Sequence, residues 1–108
     1  MKANEYQKLA MVTKNPDLNG RELLINSVMG LCGESGEVID LVKKHVSHGH
    51  SLNREKLIDE LGDVAWYLAE CATALDVTLE EVLLHNIEKL KKRYPEGFSS
   101  ERSINREI

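Results

Sequence analysis

The sequence predicts an all-α fold: a four-helix bundle-type protomer with two long antiparallel central helices, assembling as a homo-oligomer. Two observations give the class. Four segments carry apolar residues at helical spacing between recognisable start and stop signals. The 7 glycines and 2 prolines in 108 residues leave little material for the turns that an all-β fold needs. A third observation points to assembly: one of the four segments is apolar nearly all round.

The first helix is expected from about Asn4 to Thr13, with Tyr6, Leu9, Ala10 and Thr13 on one face. It stops before Asn15-Pro16, because the residue preceding proline avoids the helical region. The second runs from about Arg21 to Val46, with Leu24, Val28, Leu31, Val38, Ile39, Leu41 and Val42 at helical spacing and Gly49 marking its end. The third follows Asn53, a good N-cap, and reaches about Leu75. Its apolar residues, among them Leu57, Ile58, Leu61, Val64, Trp66, Leu68 and Leu75, cover most of its circumference. Four helices of this length can barely surround one of their own members, so burial against another copy is expected. The fourth opens on the capping-box pattern Thr78-Leu79-Glu80-Glu81 and ends at Tyr94-Pro95. Residues 1–95 thus read as one domain, and 96–108 as a polar C-terminal tail without an apolar stripe.

The 14 basic against 18 acidic residues give a net charge of −4. With no long basic stretch, this disfavours a nucleic acid or an anionic membrane as partner. Cys32 and Cys71 have no metal or redox spacing and read as buried small hydrophobes in a reducing compartment. The chain opens on charged sequence, and its longest uncharged apolar run, residues 64–69, is too short to span a bilayer. A soluble, cytoplasmic protein is expected.

Two acidic motifs carry the chemistry: Glu34-Ser35-Gly36-Glu37 on the second helix and Glu60-Leu61-Gly62-Asp63 on the third. Each puts two carboxylates one turn apart on one face. Glu37 lies 12 positions before Gly49 and Glu60 lies 11 after it, while Glu34 lies 15 before and Asp63 14 after. If the chain reverses around 47–51, Glu37 is level with Glu60 and Glu34 with Asp63, roughly 17–22 Å from the turn. Four carboxylates meeting between apolar helices repel and lose hydration unless a cation compensates. All-oxygen ligation favours Mg²⁺, with Mn²⁺ as a possible substitute, over zinc, and Mg²⁺ exchanges its waters for phosphate oxygens. Gly30, Gly33, Gly36 and Gly62, each costly in a helix interior, suggest close helix approach or room for a ligand.

The stretch Gly30–Lys44 followed by Asp59-Glu60-Leu61-Gly62-Asp63-Val64 resembles the MazG-like nucleoside triphosphate pyrophosphohydrolases of the all-α NTP pyrophosphatase superfamily, with their ExxE motif and ExxD on the next helix. Asn86 to Phe98 resembles that family's fourth helix and its end, and the similarity covers about residues 4–100. The resemblance implies Mg²⁺-dependent cleavage of a (deoxy)nucleoside triphosphate to the monophosphate and pyrophosphate, with house-cleaning of aberrant nucleotides as the suggested role. It also implies a homodimer or homotetramer whose site forms near subunit contacts. All four acids are candidate ligands, with Glu37, Glu60 and Asp63 preferred. Glu34 and Glu37 are the catalytic candidates, Glu34 in particular to hold the attacking water or a second metal.

Lys44 lies on the same helix face as Glu37 and either meets triphosphate oxygens or pairs with Asp40. Asn86 falls on the stripe of Leu79, Leu83 and Leu90, where a buried amide needs partners; in the resembling family this Asn and the following Lys, here Lys89, face the nucleotide. Tyr67, four residues past Asp63, points toward the site, and Trp66 either stacks a base or belongs to the core. His45, His48 and His50, like the run Lys89–Arg93, complement helix C-terminal dipoles. A di-iron bundle is disfavoured, because no Glu-x-x-His occurs. The remaining alternative is a non-catalytic metal- or nucleotide-binding bundle acting as sensor or scaffold.

Overall fold

The computed structural model describes residues 1–106. It is helical throughout its regular structure: α1 (Ala3–Ala10), extended by a 3₁₀ turn at Met11–Thr13, α2 (Gly20–His48), α3 (Arg54–Ala74), α4 (Leu79–Arg93) and α5 (Ser100–Ile104). There is no β-strand among the described residues, and no described helix is long and apolar enough to cross a membrane.

The ends follow from local chemistry. Gly49 closes α2 at φ 73°, and His50 N–H reaches back to the Lys44 carbonyl at 3.1 Å, the six-residue closure that a left-handed glycine permits. Asn53 Oδ1 accepts from Lys56 N–H at 3.1 Å to start α3. At α4 both halves of the capping box form, between the Thr78 hydroxyl and Glu81 N–H and between the Glu81 carboxylate and Thr78 N–H. The tail is not featureless: Ser99 Oγ accepts from Arg102 N–H and α5 follows.

α2 and α3 form the main pair, and α1 packs on α3 and α4. The hub of that second contact is Gln7. Its amide N–H groups donate to Thr73 Oγ1 at 3.0 Å and to the Val77 carbonyl at 3.1 Å, while its Oε1 accepts from Leu79 N–H at 2.7 Å. One side chain therefore joins α1 to the end of α3 and the start of α4. Asn4 adds a second tie by accepting from Glu80 N–H at 3.0 Å. Leu9, expected on the packed face, is turned out and 64% exposed, because this polar face of α1 is the one that docks.

Among the described residues the buried apolar set is only Leu23, Ala69, Ala72 and Leu79. The chain exposes 8181 Å², against roughly 6,000 Å² for a compact monomer of 12.2 kDa. Its radius of gyration of 16.9 Å exceeds the about 13 Å typical of this length. Val28, Met29, Ile39, Ile58, Leu61, Leu83, Leu84 and Ile87 all lie open. Cys32 is exposed and Cys71 half-buried, both free thiols. The burial expected of Cys32 does not occur within the protomer, since its side of α2 faces away from α3.

Two polar residues occupy the small core, Ser27 and Glu70. The Ser27 hydroxyl donates to the Leu24 carbonyl at 2.7 Å. Glu70 Oε1 accepts from Asn26 Nδ2 at 2.8 Å, and its buried Oε2 has no hydrogen-bond partner among the described residues.

Candidate metal centre

The α2–α3 pair is antiparallel, as its contacts show directly. Going up α2, Asn26 bonds Glu70, Gly30 packs on Tyr67, and Glu34 meets Glu60, so the partner numbers fall as the α2 numbers rise. This register brings Glu34 from one helix to Glu60 and Asp63 from the other. Carboxylate oxygens of the three lie within 4.8 Å of one another. Glu34 and Glu60 are half-buried, and Asp63 is exposed.

Three acids so close do not all ionise at their ordinary values. A carboxyl–carboxylate hydrogen bond with Glu60 pushes the Glu34 pKa up, helped by desolvation and by the charges of Asp63, Glu60 and Glu37. The donor set is all oxygen, drawn from two rigid helices, and fits a hard divalent cation. Such an ion would remove the repulsion that now favours a shared proton.

Glu37 stands outside this group. Three residues beyond Glu34, it is turned about 60° around the helix, onto the flank where its charge acts on Lys44. The trio that converges is therefore Glu34, Glu60 and Asp63, where the preferred ligand set had Glu37 in place of Glu34. Level height did not decide the matter; helical phase did.

A cavity of about 370 Å³ adjoins the carboxylates, lined by Thr13, Glu34, Asp63, Trp66 and Tyr67. Its aromatic wall is fixed from two sides. Trp66 Nε1–H donates to the Ala10 carbonyl and to Thr13 Oγ1, each at 2.9 Å. The Tyr67 ring meets the indole edge-on at 5.0 Å between centroids and fills the space that a β-carbon on Gly30 would need. Gly33, Gly36 and Gly62 have nothing within 4 Å of an added β-carbon. Close helix approach thus accounts for Gly30 alone within the protomer. On the other side of the carboxylates a shallow cavity is lined by Asn53, Glu55, Lys56, Asp59, Glu60 and Asp63.

The remaining predicted residues are placed less centrally. Lys44 Nζ pairs with Asp40 Oδ2 at 2.9 Å. Asn86 is exposed rather than buried, because α4 packs on α1 and α3 but leaves Leu83, Ile87 and Leu90 open on either side of it. Lys89 is half-buried. His45 Nδ1 lies 2.7 Å from the His50 carbonyl, a bond that braces the turn. Two contributors from the N-terminal segment went unassigned in the sequence: Thr13, on the cavity wall, and Tyr6, whose phenol is pushed up by burial and then by the charge of Asp63. Their signal is weak, since both lie far from the acidic motifs in sequence and reach them only through the docking of α1.

Residues 25–98 match the model of the MazG nucleotide pyrophosphohydrolase domain. The chain is also 41% identical over 85 residues, 75% of each sequence, to the Gene 37 protein of Mycobacterium phage L5. No solved structure matches it.

Proposed function

The chain belongs to the MazG nucleotide pyrophosphohydrolase family, and from that premise we propose that it hydrolyses a nucleoside triphosphate between the α and β phosphates, releasing the monophosphate and pyrophosphate with Mg²⁺ as cofactor. The observation that carries this reading is the convergence of Glu34, Glu60 and Asp63 from two helices beside an aromatic-walled cavity. These three would hold the ion, which when bound neutralises phosphate charge and makes the phosphorus more open to attack.

The chain's own residues divide the rest of the work. Glu37, exposed and outside the trio, is the carboxylate left to hold a water by hydrogen bond and accept its proton, with Glu34 as the alternative base. Trp66 and Tyr67 offer a rigid wall for the base. Lys44 is held by Asp40 and would need to leave it to touch phosphate. Asn86 and Lys89 lie on a helix whose apolar neighbours are open, so they would serve a nucleotide held by a second copy. A homodimer or homotetramer built on these open faces, acting in the cytoplasm, completes the proposal, with residues 1–95 as the domain and 96–108 as its tail.

The test is pyrophosphate release from a panel of standard, deoxy and modified triphosphates, in Mg²⁺ and in EDTA. Metal-dependent release from at least one of them is expected. Nucleotide binding without release from any would overturn the reading in favour of a sensor or scaffold.

A further inference from the structure

The aromatic wall of the cavity beside the carboxylates has a fixed hydrogen-bonding sense. Trp66 Nε1–H donates to the Ala10 carbonyl and to Thr13 Oγ1, each at 2.9 Å. An indole N–H can only donate, so Thr13 Oγ1 is the acceptor in that contact. The hydroxyl proton of Thr13 therefore points elsewhere, and the Ala10 carbonyl takes it at 2.9 Å. A hydroxyl has one proton and two lone pairs. With the proton and one lone pair committed, Thr13 has a lone pair left to offer the cavity it lines. The indole N–H, spent on the same two acceptors, offers the cavity nothing further. Of the other lining side chains, Glu34 and Asp63 converge on the metal centre, and Tyr67 carries a hydroxyl that can give or take a bond. In the proposed reaction the triphosphate is held at the carboxylates, which leaves the aromatic pair and Thr13 to meet the base.

We propose that Thr13 is a specificity-determining residue of this site, favouring bases with an exocyclic amino group, as in cytosine and adenine, over their oxo counterparts, uracil and hypoxanthine. The placement of the nucleotide rests on the pyrophosphohydrolase reading; the acceptor character of Thr13 does not. An amino group donates to the uncommitted lone pair of Thr13 Oγ1. An oxo group at the same position sets acceptor against acceptor, and both lose their hydrogen bonds to water without gaining one. Thr13 is exposed, so water competes for the lone pair and the preference amounts to about three- to tenfold.

The experiment measures affinity rather than turnover. Non-hydrolysable α,β-methylene triphosphates of cytosine, uracil, adenine and hypoxanthine, all on one sugar, are titrated into the full chain with Mg²⁺ and followed by the emission of Trp66, the sole tryptophan. In the wild type the cytosine analogue should bind about three- to tenfold more tightly than the uracil one, and the adenine analogue should exceed the hypoxanthine one similarly. Thr13→Val keeps the shape but loses the hydroxyl, and both ratios should fall to about one. Thr13→Ala should do the same, while Thr13→Ser should keep the preference. Each ratio compares two bases on one variant, so a general loosening of the wall, where Ala10 still holds the indole N–H, weakens both analogues and leaves the ratio in place. Amino-selective binding without pyrophosphate release from the hydrolysable triphosphates would leave the specificity standing and sink the enzymatic reading. Pyrophosphate release with equal affinity for amino and oxo bases would overturn this proposal alone. Ratios that persist in both Thr13→Val and Thr13→Ala, or no binding of any analogue, would also overturn it.

Discussion

The ring of Tyr67 lies against the backbone of Gly30, in the space where a side chain at that position would begin. The contact fixes both the spacing of α2 and α3 and the wall of the cavity beside the carboxylates. Gly30→Ala gains about 1 kcal/mol of helix propensity, but must displace the ring, at about 1–3 kcal/mol. A net loss in chemical unfolding is expected, with a raised KM. Gly33→Ala and Gly62→Ala meet nothing in the protomer and should add stability there. If either instead lowers the apparent mass in sedimentation, a neighbouring copy packs on that glycine.

Glu60→Gln should reduce turnover by well over tenfold without unfolding the chain, since lost metal ligation removes several kcal/mol of transition-state stabilisation. Retention of more than about a tenth of the wild-type rate would count against the metal-centre model. Glu37→Gln should lower kcat yet leave Mg²⁺ binding within about threefold, because Glu37 stands outside the converging trio. Equal loss of metal affinity in both variants would show instead that Glu37 is a ligand.

The pH dependence has a definite sign. Glu34 carries a pKa above its ordinary 4.5. Its contribution to stability is therefore full below that value and is lost as pH rises through the raised folded value. In EDTA, Glu34→Gln should be the more stable protein at neutral pH, with the gap to wild type closing on acidification. Mg²⁺ should raise the wild-type Tm at neutral pH and raise it less on acidification, as Glu34 takes up its proton. Thermal unfolding across that range, with and without Mg²⁺, is the check.

Gln7→Ala removes three hydrogen bonds that join α1 to α3 and α4. A loss of about 2–4 kcal/mol is expected in denaturant unfolding. Gln7→Glu separates hydrogen bonding from packing: it keeps the acceptor for Leu79 N–H but cannot donate to Val77, and should fall between the two. A wild-type unfolding curve for Gln7→Ala would mean that α1 is held by other contacts.

Much of this was legible in the residues. Asn53, Thr78 and Glu81, and Gly49 announce helix boundaries because capping chemistry is local, and each does what its pattern predicts. The matched spacing of the acids about Gly49 anticipates the register that brings Glu34 to Asp63. What spacing leaves out is rotation. It places Glu37 level with Glu60 but says nothing of the direction in which the side chain leaves the helix. Helical periodicity likewise assigns an apolar stripe but not its partner. Asn86 sits on such a stripe and is exposed within the protomer. The roles of Gln7 and Trp66 were hidden for a different reason: their bonds span 53 to 72 positions and exist only after α1 docks.

Trp66 is the sole tryptophan of the chain, and its indole N–H is held by two acceptors on the wall of the cavity that Glu34 and Asp63 also line. The molecule thus carries its own optical reporter at the place of interest. Detachment of α1 would expose the indole N–H to water and shift its emission to the red, whereas a nucleobase against the ring would quench it. Nucleotide affinity and the docking of the first helix can both be followed on the unlabelled protein, at two wavelengths of one titration.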